Sequence, residues 1–180
     1  MSELITAEEF IEVCNGQPSE LVKGEFIAMS PGGGTHGKFT LRIGRIVADF
    51  VDEHDLGEVF GAETGFILFR NPDTVRAPDF AFIATERLHL IAEVFDEFLP
   101  IAPDLVVEIV SPHDRWTEIE AKVNDYLRAG VRLVWVMNPS TKTIHVYHGF
   151  SQVKVLTSDD TLDGADVLPG FSISVASIFS

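Results

Sequence analysis

The stretch Asp104-Leu105-Val106-Val107-Glu108-Ile109-Val110 is a nearly continuous apolar run broken by one acid, the pattern of a strand buried on both faces. Just downstream, residues 114–129 carry apolar side chains at Ile119, Val123, Tyr126 and Leu127 and stop at Gly130, the spacing and ending of a helix with one buried side. Val131-Arg132-Leu133-Val134-Trp135-Val136-Met137 then reads as a second buried strand. Strand, helix and strand in this order predict a βαβ unit, hence two parallel strands with a right-handed crossover.

Upstream, Phe39, Ile43, Ile46, Val47, Phe50 and Val51 form the three-four stripe of a helix between His36 and Asp55. Ahead of it, TAEEFIEVCNG is a short helix capped by Thr6 and stopped at Gly16. Two alternating runs, Glu20 to Lys23 and Glu25 to Met29, pivot on Lys23-Gly24 as a tight hairpin. Pro31-Gly32-Gly33-Gly34 is a flexible loop without the Gly-Lys-Ser/Thr ending of a P-loop. Strand-like runs at Glu58 to Ala62, Gly65 to Phe69 and Pro78 to Ile83 suggest a meander. Past the βαβ unit, Thr143 to Tyr147 and Gln152 to Leu156 are further alternating strands, and Leu168-Pro169-Gly170-Phe171 opens a terminal segment that packs against the body.

A chain of 180 residues, 46% hydrophobic, supports one well-buried core, so a single domain over residues 1–180 is expected. Against 28 acidic residues stand 13 Lys and Arg, a net charge of −15 with a pI near 4.6. That argues against non-specific adhesion to nucleic acid or anionic lipid, and any nucleic-acid site must be local. The one cysteine, Cys14, cannot form an intramolecular disulfide, and the start Met1-Ser2-Glu3-Leu4 lacks the basic and apolar regions of a signal peptide. A cytoplasmic location is expected. The longest apolar stretches are about a third of a membrane span, so no membrane role is expected.

The acids carry the chemistry. An ionised carboxylate inside a core strand is stable only when paired, hydrogen-bonded or bound to a metal, so Glu108 demands a partner. A strand end reaching solvent or an ion pair with an arginine would satisfy it too. Asp79 follows Pro78 at the start of the strand Asp79 to Ile83, where Pro-Asp alone is a common turn signal. Together, two acids on neighbouring central strands can hold a hard cation, Mg²⁺ or Mn²⁺. Such an ion bridges a phosphate oxygen, acidifies water and offsets charge developing in phosphodiester hydrolysis. A nearby lysine would orient the water or neutralise the phosphate. Lys38, Arg42 and Arg45, at i, i+4 and i+7, share a helix face that is a candidate phosphate track or an ordinary solvated face. Trp116, Trp135 and most of the fourteen Phe suit core or interface positions better than base stacking.

The segments EEFIEV, ELVKGEFIAMSP with His36 after it, APDFAFI, PDLVVEIVSPHDR, EAKVNDYLRAGVRLVWVMNP and LPGFSISVASIF run nearly end to end. In this order and spacing they resemble the Uma-two family of restriction-endonuclease-like proteins, within the PD-(D/E)XK nuclease superfamily. The resemblance implies an α/β fold of the restriction-endonuclease type. Its αβββαβ core would have a mixed central sheet flanked by helices, with an N-terminal helix and hairpin and C-terminal strands added.

It also implies a metal-dependent endonuclease acting on DNA, with Asp79 and Glu108 as metal ligands and Mg²⁺ or Mn²⁺ as cofactor. The superfamily lysine would stand at Val110; as in the Uma-two family, a helix lysine, here Lys122, takes its place. A solvated Lys122 paired with Glu118 is the bland alternative. His36 matches a family histidine that could contact phosphate or orient water, or simply cap. Glu63 could be a third acid at the metal or a turn residue. Glu20 and Glu25 match hairpin positions from which similar folds take an extra ligand, with Glu25 ranked below Glu63. His113 and Asp114 could line the cleft mouth, Asp114 being equally good as an N-cap. Nucleic acid is the implied partner, and a homodimer is expected because cutting both strands of a duplex favours two sites on a twofold axis. The competing reading is a nuclease fold without catalysis, serving as a binding or regulatory module.

Overall fold

A computed structural model describes residues 4–180; residues 1–3, on which the expectation of a missing leader mostly rests, lie outside them. The elements are α1 Ala7–Cys14, β1 Ser19–Val22, β2 Glu25–Ala28, α2 Gly34–Glu53, β3 Gly57–Gly61, β4 Phe66–Phe69, β5 Thr74–Arg76 and β6 Phe80–Ala84. A 3₁₀ turn, Thr85–Leu90, leads towards β7 Leu105–Ile109, α3 Trp116–Arg128, β8 Leu133–Asn138, β9 Thr143–Tyr147, β10 Val153–Leu156, β11 Thr161–Gly164, β12 Leu168–Ser174 and α4 Val175–Phe179.

The central sheet has six strands in the order β10-β9-β8-β7-β6-β3. Only β7 and β8 pair in parallel, from Leu105 opposite Leu133 to Ile109 opposite Met137, as the βαβ reading requires. The neighbouring pairs are antiparallel, so the sheet is mixed. A second sheet runs β2-β1-β5-β4, and β11 pairs with β12.

The period of two along each strand sorts the core. Leu105, Val107 and Ile109 of β7, with Phe80 and Phe82 of β6 and Leu133, Trp135 and Met137 of β8, face the stripe Phe39, Ile43, Val47 and Val51 of α2 and the C-terminal segment. Val106, Val134 and Val136 face the other way, onto Ile119, Val123 and Tyr126 of α3. Being of the even set, Glu108 necessarily points to the α3 side. The 3.6-residue period of α3 puts Lys122, between Ile119 and Tyr126, on the helix side that meets it.

Two expectations change. The three strand-like runs do not form a meander: β3 pairs with β6, Gly61 opposite Phe80, while β4 joins β5 in the second sheet. The cause is the short strand β5, Thr-Val-Arg, too brief to show a period of its own. It pairs with both β1 and β4 and draws β4 away. Trp116 is partly exposed, packed against the His145 ring, whereas Trp135 is fully buried. The hairpin is as read, Lys23 and Gly24 both having the positive φ that its tight turn demands. Among the described residues no helix is long and apolar enough to cross a membrane.

Candidate functional site

Asp79 immediately precedes β6, and with Phe80 opposite Val107 the antiparallel register brings it beside Glu108. The Asp79 carboxylate is held at Oδ2, which accepts the backbone N–H of Ile109 at 2.7 Å and faces His36 Nε2 at 3.1 Å. Oδ1 takes no hydrogen bond from any described residue. His36 sits in the first turn of α2, where the chain leaves the Gly-rich loop. A Cβ on Gly32 would stand 2.7 Å from its Nδ1, so a larger residue there would push the ring from its place. The hydrogen bond to Asp79 raises the His36 pKa, against the opposing effect of burial.

Glu108 is 4% exposed. Tyr126 donates its hydroxyl to Glu108 Oε1 at 2.6 Å, and Lys122 Nζ stands 3.3 Å from Oε2. Burial pushes the Glu108 pKa up to about 7; Lys122 opposes this and the Asp79 charge adds to it. Burial works against the Lys122 ammonium, but the Glu108 and Glu20 carboxylates outweigh it and raise its pKa. Both shifts can hold together because Lys122 has two carboxylate partners: its Nζ is also 3.2 Å from Glu20 Oε1. Glu20, on β1 and 2% exposed, accepts as well from Arg76 Nη1 at 2.7 Å and from the Ala77 N–H at 3.2 Å. Arg76 in turn reaches Asp125 on α3 through Nε and Nη2, at 3.0 and 2.5 Å.

So the structure brings together Asp79, Glu108, Lys122 and His36, and adds Glu20, Tyr126, Arg76 and Asp125. Lys122 does not pair with Glu118. Glu63 does not join the group; it is an exposed turn residue at φ 74. Among the described residues no three His, Cys, Asp or Glu side chains form a ready-made metal cage. Glu25 is exposed on β2. Asp114 does not cap α3, whose N-cap is Arg115; its Oδ2 accepts the Ser111 N–H instead, and it and His113 are exposed. The basic face of α2 also divides. Lys38 and Arg45 are exposed, but Arg42 Nη1 donates to the carbonyls of Ile178, at 2.9 Å, and Ser180, clamping the C-terminal segment. Neither the phosphate track nor the solvated face fits Arg42, because spacing alone does not reveal that the last helix packs against this face.

The residues present fit a divalent cation. Asp79 Oδ1 is an unused carboxylate oxygen, and Glu108 beside it carries a charge its surroundings undercompensate. Among the described residues, Glu20, Asp79, Glu108 and Asp125 are balanced by two permanent cations, Arg76 and Lys122. An added positive charge between Asp79 and Glu108 would offset that excess.

A mixed sheet whose antiparallel pair leads into a βαβ unit, with facing acids at the junction and a lysine from the crossover helix, places the molecule in the nuclease-like fold class. A crystal structure described as a "putative nuclease belonging to DUF820" from Anabaena variabilis ATCC 29413 has the same fold. Its TM-score is 0.82 at 22% identity, over 97% of each chain. Residues 7–176 match the Uma2 family, described as "Putative restriction endonuclease", and the chain belongs to that family. No curated protein matches it.

The pKa shifts set a pH dependence. Glu108 holds its proton in the folded state to about pH 7, against about 4.3 in an unfolded chain. Over that interval the folded state binds more protons, so the stabilisation is present at low pH and is lost as pH rises through 7. The raised His36 acts in the same direction. Without added divalent ion, wild type is expected to lose roughly 1 kcal/mol relative to Glu108→Gln between pH 6 and 8. Thermal melts of both proteins at pH 6, 7 and 8 check this, and parallel curves would refute it. Mn²⁺ should restore wild type most at pH 8, since ligands bind metal deprotonated.

Proposed function

We propose that this protein is a metal-dependent endonuclease that hydrolyses phosphodiester bonds in DNA, with Mg²⁺ or Mn²⁺ held by Asp79 and Glu108. The observation that carries the reading is the pair of adjacent carboxylates, one with an unused oxygen, beside a buried lysine ammonium. Bound there, the ion would supply Lewis-acid stabilisation of phosphoryl charge and water acidified for attack.

The chain's own groups do the rest. The Ile109 N–H holds the Asp79 carboxylate in place, and Tyr126 holds that of Glu108. Lys122 presents a fixed positive charge to the non-bridging oxygens as the phosphorus becomes five-coordinate. His36, half-buried at the mouth and hydrogen-bonded to Asp79, presents its ring towards an incoming phosphate or water. Lys38 and Arg45 offer phosphate contacts along α2. Cutting both strands of a duplex calls for a second site, which a twofold dimer would supply; a clean 20 kDa species by light scattering would remove that part.

The test is cleavage of supercoiled plasmid and single-stranded oligonucleotides with Mg²⁺ or Mn²⁺, wild type against Asp79→Ala, Glu108→Ala and Lys122→Ala at equal purity. Metal-dependent nicking lost in all three folded variants is the expected result. Equal inertness, or equal activity, would favour a binding module built on the same fold.

A further inference from the structure

We propose that Arg76 is a positioning residue: by gripping Glu20 on β1 and Asp125 on α3 at once, it sets where the Lys122 ammonium stands between Glu20 and Glu108. The consequence for catalysis rests on the nuclease reading above; the positioning itself does not.

Lysine is a point charge on a flexible four-carbon stem, with no directional fork of its own. Its position is therefore decided by its acceptors and by the backbone that carries it. Arg76 bears on one acceptor, Glu20, and on that backbone. Through Nη1 it fixes Glu20 Oε2 at 2.7 Å, leaving Oε1 to meet Lys122 at 3.2 Å. Its Nε and Nη2 close on Asp125 Oδ2 at 3.0 and 2.5 Å. Asp125 lies three residues after Lys122, on the neighbouring turn of α3 and the same side of the helix. The guanidinium thus spans from the second sheet to α3 at the turn where Lys122 departs. Arg76 is 6% and Glu20 2% exposed, so solvent cannot substitute for the grip on Glu20. Neither Arg76 nor Asp125 is placed to touch substrate. The second sheet, through β1 and β5, becomes part of the apparatus that holds a helix lysine where Val110 leaves the strand without one.

The variants are Arg76→Lys, which keeps charge but loses the fork, and Asp125→Asn, which keeps shape but weakens the grip from the other side. Each is checked for folding by circular dichroism and melting. With Mn²⁺ and an oligonucleotide substrate, kcat should fall about 10- to 100-fold with KM little changed, since misplacement of about 1 Å costs on that order. In a Lys122→Ala background neither substitution should lower the residual kcat further. Additive losses, or folded variants with wild-type kcat, would overturn the proposal.

A second readout needs no nucleic acid. Acetylation of the folded protein by acetic anhydride, followed by mass spectrometry, should show Lys122 labelled several-fold faster in both variants relative to the exposed Lys154. An unchanged ratio in either folded variant would overturn the positioning role. Should wild type cut no substrate, the nuclease reading falls while this labelling ratio still decides the positioning. If Arg76→Lys does not fold, Asp125→Asn decides alone.

Discussion

Asp79→Asn and Glu108→Gln are expected to lower the cleavage rate by about 10³-fold or more while giving proteins that melt higher than wild type at pH 8 without added metal. Each removes one of two adjacent charges in a site with too few permanent cations. In Asp79→Asn the amide oxygen can still accept the Ile109 N–H, so the junction between β6 and β7 keeps its geometry. The Asp79 charge is one cause of the raised Glu108 pKa, and its loss makes the Glu108 carboxylate less costly to ionise. In Glu108→Gln the amide oxygen can accept from Lys122 while its NH₂ donates to Tyr126, whose hydroxyl both donates and accepts. A stability gain of roughly 1 kcal/mol is expected at pH 8, shrinking towards pH 6 as wild-type Glu108 takes up its proton. Loss of activity with a gain of stability is the signature of groups kept for function at a cost in stability. Cleavage assays beside thermal melts check it. Retention of more than a tenth of the rate, or destabilisation of both variants, would contradict the roles given to these acids.

How much of this was visible in the sequence depends on how far each residue's partner lies along the chain. The βαβ unit was legible because 104–137 is contiguous and each part has a period or a stop. The acid in the middle of that strand stood out because an apolar run makes a charge conspicuous, and Lys122 followed from the family resemblance. Glu20 is legible only as a hairpin position of the family, because a strand of four residues is too short for its period to show which face is buried. Its burial comes from Arg76, 56 residues away. Arg76 carries a fainter signal: a base just before Ala77-Pro78-Asp79 needs a counter-charge once its strand is buried, but three residues are too few to show that burial. Tyr126 was assigned to the apolar stripe of α3, where it does sit, and no pattern reveals which hydroxyl of a buried stripe finds a carboxylate. Glu63 and Arg42 show the converse. Position near a motif suggested a role, and only the path of the chain shows one in a surface turn and the other holding the C-terminus.

Arg76→Ala is expected to cost about 3–5 kcal/mol, the usual penalty for removing one partner from a buried ion pair. Asp125, 15% exposed, would lose its counter-charge, and Glu20, 2% exposed, would be left with Lys122 alone. Against a total stability of about 5–15 kcal/mol this is a large share, a fall of roughly 10 °C in Tm for a chain of this size. Urea denaturation with m unchanged would attribute the loss to the folded state. A loss below about 1 kcal/mol would mean that water reaches the carboxylates and that the triad is not sealed. The triple replacement Glu20→Met, Arg76→Leu, Asp125→Leu separates stability from purpose. Buried ion triads replaced by apolar groups of similar volume are often as stable or more so, so most of the loss in Arg76→Ala should be recovered. Cleavage should not recover, because Lys122 would then have only Glu108 to hold it and nothing to fix the turn of α3 that carries it. A triad that is dispensable for folding yet required for turnover is what a positioning role demands, and a triple variant that cuts DNA as wild type does would show that Lys122 finds its place unaided.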